Sequence, residues 1–234
     1  MTEASVPGGA LRSYGRTKSR PIKPRQAALI ETLLPRIAIP LGRVDPAVLM
    51  PAAREVWLEI GFGGGEHLAA QAARHPQALM LGAEPFQNGV ASALRHVDAA
   101  GLANVRLWPG DGRELMAALP DASLDRIVVL FPDPWPKTRH HKRRLVGEAF
   151  AGEAARLLKP DGRLSFATDW ADYAHQALAA LLACPALTWT AVRADDWRIA
   201  PPDHVTTRYE AKRLGDCAPI WLEFRRASVK SAPA

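Results

Sequence analysis

The sequence predicts an α/β fold with a doubly wound, mostly parallel sheet of seven strands and helices on both of its faces. Short apolar runs alternate with amphipathic segments long enough for helices, a pattern typical of βαβ units. Five consecutive apolar runs also end close to an Asp or a Glu, as expected where parallel strands meet a ligand-binding edge. With 234 residues and 48% apolar residues, the chain can form one large domain of this kind.

The predicted elements follow one another in a regular order. Residues 1–25, rich in Gly, Pro, Ser and basic residues, are predicted to be a flexible N-terminal arm, and residues 26–234 one domain. The predicted strands are 55–60, 78–84, 104–111, 124–131 and 163–169, then two closing strands at 187–194 and 219–226. The predicted helices are a short one within 26–39, then 66–75, 87–101, 113–120, 145–158 and 170–184.

A row of carboxylates is predicted at one edge of the sheet. In folds of this class, ligands bind at the carboxyl ends of the strands. Loops favour acidic residues, so one or two of them would mean little, but five at consecutive strand ends predict a site. The residues are Glu59, Glu84, Asp111, Asp133 and Asp169.

The first of these strands leads into a glycine-rich loop, "LEIGFGGGEHL". Gly61, Gly63 and Gly65 allow a sharp turn and let a ligand approach the main chain. A nicotinamide-binding loop would need a third glycine at Glu66, whose carboxylate repels a diphosphate. Together with Glu59 the glycines form E-x-G-x-G-x-G, which resembles the first motif of S-adenosylmethionine-dependent methyltransferases and their Rossmann-like sheet. Carboxylates suit the ammonium and sulfonium of that cofactor.

Two further carboxylates have both a binding and a structural interpretation. Glu84 stands twenty-five residues after Glu59, where nucleoside sites hold an acid that accepts hydrogen bonds from ribose hydroxyls. The alternative for Glu84 is a solvated loop residue. Asp111 precedes a predicted helix and has Glu114 three residues later, which is a capping box. Asp111 is also placed to accept a hydrogen bond from an adenine amine, and the two roles can coexist.

The stretch "VLFPDPWPKTRHHKRR", residues 129–144, begins with a rigid corner. Pro132, Pro134 and Pro136 fix φ and remove three N–H donors, so Asp133 and Trp135 between them have preset directions. An indole ring can stack on an extruded purine, and a carboxylate beside it can accept hydrogen bonds from N1–H and the amine of guanine. The alternative is a structural proline turn before a solvated basic helix.

Positive charge is concentrated in two segments. Residues 12–25 hold six Lys and Arg, residues 137–144 hold five, and neither segment holds an acid. The chain carries a net charge of +6, yet outside these segments nineteen Lys and Arg face twenty-four Asp and Glu. Charge focused in this way suits a polyanion with phosphates at defined places. The alternative is a flexible basic tail and a solvated loop.

The sequence resembles the bacterial tRNA (guanine-N7)-methyltransferases, which act on guanine 46 in the variable loop. The motif "FPDPWPKTRHHKRRL" carries most of the resemblance. Several other motifs follow the family's order over most of the chain: "LEIGFGGGEHL", "GAEPFQNGV", "DGREL", "ATDWADYA" and "TTRYEAKRLGD". The resemblance implies another basic residue at the position of Thr138, and its absence removes one possible phosphate contact without changing the assignment.

The resemblance implies roles for individual residues, and Asp133 is expected to be catalytic. The residues expected around S-adenosylmethionine are Glu59, Gly61, Gly63, Gly65, Glu84, Asp111 and Asp133. Those expected at the tRNA guanine are Lys137, Asp169, Thr207, Arg208, Tyr209 and Glu210. Those expected to contact RNA are Arg139, His140, His141, Lys142, Arg143 and Arg144.

Other interpretations stay open. Asp169 could instead cap the helix that starts at Trp170, and Thr206 and Thr207 could be ordinary strand or turn residues. The triplet Asp-Pro-Trp is similar to the D-P-P-Y motif of methyltransferases that act on exocyclic amines, which suggests an RNA or DNA enzyme of that class. A non-catalytic RNA-binding protein on the same fold is a third possibility, and Glu66 disfavours a dehydrogenase.

The remaining features indicate a cytoplasmic enzyme without a metal. Cys184 and Cys217 have no metal-ligand spacing and are expected to be reduced structural thiols. The other histidines are scattered and are expected on the surface or in the core. No apolar run is long enough to span a bilayer, and no secretory signal precedes residue 16. The protein is expected to be a monomer or a homodimer.

Overall fold

A computed structural model describes residues 21–40, 42 and 44–228. Residues 1–20 of the predicted arm lie outside the described residues, so the arm stays a prediction there. Its last two residues, Pro24 and Arg25, belong to the first helix, because proline suits the first turn of a helix. Nη2 of Arg25 lies 3.3 Å from Oδ2 of Asp98, which ties this helix to the domain.

The described residues contain one seven-stranded sheet, as predicted. Its strands are β1 (Glu55–Ile60), β2 (Ala78–Ala83), β3 (Val105–Trp108), β4 (Leu124–Leu130), β5 (Leu158–Thr168), β6 (Leu187–Trp189) and β7 (Ile220–Arg226). They lie in the order β3-β2-β1-β4-β5-β7-β6. The first five strands are parallel, and β7 runs antiparallel to β5 and β6. The chain leaves β1 toward β2 on one side and returns to β4 on the other, so β1 lies at the topological switch point.

Helices cover both faces of the sheet. They are α1 (Pro24–Thr32), α2 (Leu34–Ile37), α3 (Pro46–Leu49), α4 (Glu66–Arg74), α5 (Gln87–Ala100), α6 (Gly112–Ala118), α7 (Glu148–Leu157), α8 (Ala171–Leu182) and α9 (Asp195–Arg198). Two 3-10 helices cover Thr138–Arg143 and Glu210–Lys212. One apolar core packs α6, α7 and α8 on the sheet, and the other packs α4 and α5 on its opposite face. Because β1 is buried on both faces, its residues are mostly apolar instead of alternating.

Several boundaries differ from the sequence prediction, and three of the differences have a local reason. The strand predicted at 187–194 ends at Trp189, and α9 follows, because an exposed edge strand has a weak apolar pattern. Strand β5 begins at Leu158 and not at residue 163: Asp161 takes φ 63°, and the pairing with β4 shifts register there. The predicted N-terminal helix is divided at Leu33, beside a proline in the first turn of α2.

Candidate active site

The glycine loop between β1 and α4 has two open positions and one packed position. Gly61 and Gly63 have φ of 73° and 54°, and a Cβ at either would meet no atom within 4 Å. Their main chain is therefore open to a ligand, as predicted. Gly65 takes φ 79° as the N-cap of α4, and a Cβ there would lie 2.5 Å from Cβ of Ala93 in α5. Gly65 thus allows α4 and α5 to pack closely, and unlike Gly61 and Gly63 it does not face open space.

Glu84 lies directly behind this loop and holds it in place. Its Oε2 accepts a hydrogen bond from the N–H of Gly63 and its Oε1 accepts one from Phe86, both at 2.8 Å. The side chain is buried, and that burial raises the pKa of Glu84 to about 7, against the effect of the two N–H donors. The charges of Asp133 and Glu59 raise the pKa further. Glu84 is therefore buried and hydrogen-bonded to the loop, so the alternative of a solvated loop residue is wrong.

Gly89, in the first turn of α5, is a site residue that sequence reasoning missed. A Cβ there would lie 2.4 Å from the carbonyl oxygen of Gly63 and 3.1 Å from Cγ of Glu84. Only a glycine lets α5 start this close to the loop. Its position inside the motif "GAEPFQNGV" was the available signal.

Glu59 is buried in the wall below the loop. Its Oε2 lies 2.8 Å from Nδ1 of His67, a buried residue in the first turn of α4. Its charge acts on Glu84, so these two predicted site residues are close together. The sequence does not single out His67, because nothing in its spacing marks it as a partner of Glu59.

Asp111 is the N-cap of α6, as predicted. Its Oδ1 accepts hydrogen bonds from the N–H and Nε of Arg113, both at 3.0 Å, and its Oδ2 accepts one from Nη2 at 2.7 Å. Burial raises the pKa of Asp111, but these bonds more than offset it and hold the pKa below its usual value. The predicted capping box is wrong in its second half, because Glu114 accepts a hydrogen bond from Nε1 of Trp108 at 3.3 Å and the N–H that Asp111 caps is that of Arg113. A ligand at Asp111 would share the carboxylate with Arg113.

The proline corner after β4 is held in an uncommon backbone conformation. Phe131 and Trp135 have φ of 50° and 45°, a region that costs a bulky residue roughly 1–2 kcal/mol. Between them Asp133 is exposed on one side, and burial on its other side raises the pKa of its carboxyl. The charge of Asp133 reaches both Glu84 and Tyr209. Asp133 is therefore within electrostatic reach of both the glycine-loop carboxylate Glu84 and Tyr209.

Trp135 packs against the basic 3-10 helix that follows the corner. The guanidinium of Arg143 lies 4.9 Å from the centroid of the Trp135 ring, and the ring of His140 meets it edge-on at 5.8 Å. One side of the indole is thus covered by a cation, which stiffens the corner. The predicted stacking of a purine on Trp135 would have to use the rest of the ring or displace Arg143.

Asp169 lies on the other side of the site, and its side chain is buried. The hydroxyl of Tyr209 lies 3.4 Å from its Oδ1. The interpretation of Asp169 as the N-cap of α8 is wrong, because the N–H of Ala171 donates to Oδ1 of Asp216 at 2.9 Å. The carboxylate of Asp169 thus faces Tyr209 and not the helix.

A compact turn is formed by the segment from Thr207 to Glu210, which contains Arg208 and Tyr209. The N–H of Glu210 donates to Oγ1 of Thr207 at 3.2 Å, and the N–H of Thr207 donates to Oε2 of Glu210 at 3.3 Å. This reciprocal pair of hydrogen bonds closes the turn that leads into the second 3-10 helix, whose N-cap is Tyr209. Tyr209 packs on Phe131, with ring centroids 5.7 Å apart. The turn is therefore fastened to the proline corner.

Arg208 points in another direction from Tyr209. Its side chain is 66% exposed, and its Nε lies 2.8 Å from Oε1 of Glu66 at the start of α4. It thus faces the glycine loop side of the site. The expected contact of Arg208 with guanine stays a prediction. It would require Arg208 to leave Glu66 or to bind Glu66 and the base together.

Arg144 has a structural position that differs from the expected RNA contact. Its side chain is 1% exposed, and its donors are used inside the protein. They reach the carbonyl oxygen of Pro134, Oε1 of Gln176 and Oδ2 of Asp172, each at 2.7 Å. A guanidinium so enclosed is not accessible to RNA, so the expectation for Arg144 is corrected: it anchors the basic helix to α8.

Other residues of the basic segment either hold it against α8 or are exposed to solvent. Nε2 of His141 lies 3.3 Å from Oδ2 of Asp172, while Lys137, Arg139 and Lys142 are exposed. Burial and the four neighbouring cations lower the pKa of His140. The exposed cations lie directly after the corner that holds Asp133.

Two further findings concern the described residues as a whole. None of their His, Cys, Asp and Glu side chains form a group of three or more that could hold a metal ion. No helix among them has both the length and the apolar composition needed to cross a bilayer.

Comparison with known proteins decides the family. Residues 53–221 match the family described as "Putative methyltransferase". The chain is 60% identical over 227 residues to the tRNA (guanine-N(7)-)-methyltransferase of Caulobacter sp. (strain K31), covering 97% of this chain and 100% of that one. The chain belongs to the tRNA (guanine-N(7)-)-methyltransferase family. The Hyphomonas neptunium (strain ATCC 15444) family member is 51% identical over 217 residues, covering 92% of this chain and 99% of its own.

Solved structures show the same fold outside this family. A mutant of the 16S rRNA (adenine(1408)-N(1))-methyltransferase from Catenulisporales acidiphilia, solved with its cosubstrate SAM, superposes with a TM-score of 0.59. It is 20% identical and covers 84% of this chain and 98% of its own. At this identity the likeness concerns the fold, which is the Rossmann-like methyltransferase sheet predicted from the sequence.

Proposed function

We propose that this protein transfers the methyl group of S-adenosylmethionine to N7 of a guanine in tRNA. The observation that supports the proposal is Asp133 in the proline corner, whose charge acts on both Glu84 beside the glycine loop and Tyr209. Exposed cations for the tRNA backbone follow it at once. The names of relatives that match over their full length support the same activity. The family resemblance suggests guanine 46 of the variable loop as the target.

The residues present fit S-adenosylmethionine. Gly61 and Gly63 leave the main chain open, and Glu84 offers a buried carboxylate beside them. Such a carboxylate suits a ligand with hydroxyl donors and positive charge, and repels a phosphate. The residues that would hold the cofactor are Glu59, Gly61, Gly63, Glu84, Asp111 and Asp133, with Gly65 setting the loop. When bound, the cofactor supplies a methyl group that its sulfonium has already activated.

The protein's own task is mainly one of position and charge. Guanine N7 presents an in-plane lone pair without a proton, so the site needs no strong general base before attack. Asp133 is proposed to orient the guanine and to stabilise the positive charge that develops on the purine. Partial burial raises the pKa of Asp133, and a cation that develops beside a partly desolvated carboxylate is stabilised by it. Asp169, Tyr209 and Glu210 are proposed to hold the base.

The RNA backbone is proposed to bind the exposed part of the basic segment. Lys137, Arg139 and Lys142 are exposed and would contact phosphates. His140, His141 and Arg143 are half-buried, and Arg143 supports Trp135. A role for residues 12–25 on tRNA stays a prediction, as does a cytoplasmic location.

The test is Asp133→Asn, with Asp133→Ala as a second variant. Because the charge is needed mainly in the transition state, kcat should fall about 100-fold or more. The dissociation constant for S-adenosylmethionine should change only a few-fold. Nucleoside digestion and mass spectrometry of the methylated tRNA should find 7-methylguanine, and a transcript without guanine 46 should accept no methyl group.

Two results would contradict the proposal. Unchanged kcat in both variants would remove the role of Asp133. An N-methylated amine in place of 7-methylguanine would show the exocyclic-amine reaction.

A further inference from the structure

Two buried imidazoles that the proposed chemistry does not use stack on each other below the glycine loop. His67 and His204 have ring centroids 5.8 Å apart and planes inclined by 30°. Nδ1 of His67 lies 2.8 Å from Oε2 of Glu59, and Nε2 of His204 lies 2.7 Å from Oε2 of Glu210. A continuous row of carboxylate, imidazole, imidazole and carboxylate therefore joins the cofactor side of the site to the base side.

The same two regions are joined by further contacts along α4. We call residues 203–210 the strap. The carbonyl oxygen of Asp203 accepts hydrogen bonds from Nε2 of Gln71 at 2.7 Å and from Nη1 of Arg74 at 2.6 Å. At the other end of the strap, Arg208 pairs with Glu66 at 2.8 Å. The helix that begins at the glycine loop thus contacts the strap near both of its ends.

The opposite side of the strap packs on the sheet. The ring of His204 meets that of Trp221 at 4.5 Å, and Nη1 of Arg126 lies 2.6 Å from Oδ2 of Asp203. Tyr209 rests on Phe131 of the proline corner. Because the ring of His204 lies between His67 of α4 and Trp221 of the sheet, we expect a change in the position of His67 to displace His204.

We propose that His67 and His204 are positioning residues that couple the cofactor site to the guanine-binding strap. The inference rests on the proposed function. Glu59 and Glu210 have few solvent contacts, and a buried carboxylate without a partner is costly, so each keeps its imidazole. A cationic ligand beside Glu59 competes with His67 for that carboxylate. The resulting displacement of His67 moves the stacked ring of His204 and, through it, Glu210 and Thr207. Coupling between two sites requires a physical connection of this kind.

The experiment measures coupling without turnover. Isothermal titration calorimetry gives the dissociation constant of S-adenosylhomocysteine with and without saturating tRNA. In the parent protein tRNA should tighten this binding about fivefold or more, the usual range for coupled sites. His67→Gln and His204→Gln each keep an amide donor for the carboxylate but lose the ring stack, and the factor should fall below about twofold. The double variant should lose no more than either single one, because the rings act as a unit.

His75→Gln is the matched control. His75 caps the far end of α4, and its ring packs on Trp57 at 4.8 Å, outside the strap. Loss of this ring should leave the coupling factor at the parental value, which separates coupling from a general effect of removing an imidazole.

Three outcomes would overturn the inference. A parental factor near one, with both ligands binding, would refute the coupling and leave the proposed function intact. If folded His67→Gln and His204→Gln proteins keep the coupling factor of the parent protein, the two rings contribute to stability alone. If thermal melting shows that those variants are unfolded, Glu66→Gln is measured instead. This substitution opens only the ion pair between Glu66 and Arg208, and it must lower the coupling factor. An unchanged coupling factor counts against the proposal. No tRNA binding by the parent protein would instead refute the proposed function.

Discussion

Glu84 behaves differently from an ordinary surface carboxylate because of what surrounds it. Burial raises its pKa to about 7, so the folded protein holds this proton more tightly than the unfolded chain does. The contribution of Glu84 to the free energy of unfolding is therefore fully present below about pH 4.5 and is lost as the pH rises through about 7. The ionised form is the one that accepts two hydroxyl hydrogen bonds, so stability and ligand binding favour opposite protonation states.

This conflict predicts a pH dependence of cofactor affinity. The affinity for S-adenosylmethionine should rise as the pH increases from about 6 to about 8, and binding at pH 7 should release a fraction of a proton. Calorimetry in buffers of different ionisation enthalpy measures both quantities. In Glu84→Gln the affinity should be lower and its pH dependence flat over this range. A parental protein with no proton release at pH 7 would show that Glu84 is already ionised.

At the scale of elements, the basic 3-10 helix depends on α8 for its position. Oδ2 of Asp172 accepts from Arg144 at 2.7 Å and lies 3.3 Å from Nε2 of His141. The hydrogen bond from Arg144 lowers the pKa of Asp172, so the anchor persists into the acidic range. An acid within a tRNA-binding surface would be unfavourable if net charge alone decided affinity.

Asp172→Ala therefore separates position from charge. If the anchor matters, the KM for tRNA should rise about threefold to tenfold, although the variant is more positive by one charge. Asp195→Ala, which removes an exposed acid from α9, is the matched control and should leave KM unchanged or slightly lower. A lower KM in Asp172→Ala would mean that only the charge of this surface counts. Filter binding at fixed salt gives the same comparison without turnover.

At the scale of the whole molecule, as far as the structure describes it, exposed positive charge is distributed unevenly around the sheet. One group of exposed cations lies at the carboxyl edge of the parallel strands, beside Asp133, and consists of Lys137, Arg139 and Lys142. A second exposed group lies toward the amino ends of the parallel strands and consists of Arg54, Arg163 and Arg225, the last two paired across β5 and β7. Of these two groups, only the first lies where the target guanine is proposed to enter.

Salt dependence should report this distribution. Replacing the three cations of the first group together by Ala should reduce the slope of log Kobs against log salt for tRNA by about 2 to 3, since each phosphate contact contributes about 0.7–0.9. Replacing Arg54, Arg163 and Arg225 together by Ala removes the same charge, and this control should change the slope by less than about 1. Equal changes in the two variants would mean that tRNA senses only the net charge.

The sequence predicts much of this architecture because the relevant signals are local. The alternation of strands and helices and the N-cap at Asp111 each depend on neighbouring residues, and the structure has them. The edge strand at 187–194 was predicted too long, because an exposed strand has little apolar pattern to mark its end. The expected RNA contact of Arg144 is wrong, since its buried partners come from α8, 28 and 32 residues further along the chain.

The sequence by itself determined the succession of strands and helices along the chain, the acidic edge, the glycine loop and the motifs by which the family is recognised. Periodicity, turn-forming residues and residue types next to each other carry this information. Only the tertiary structure decided which side chains are already engaged. His67 meets His204, Arg143 covers one side of Trp135, and Arg144 turns inward because helices distant along the chain pack together there. Such partners depend on packing in three dimensions, for which the chain carries no local pattern.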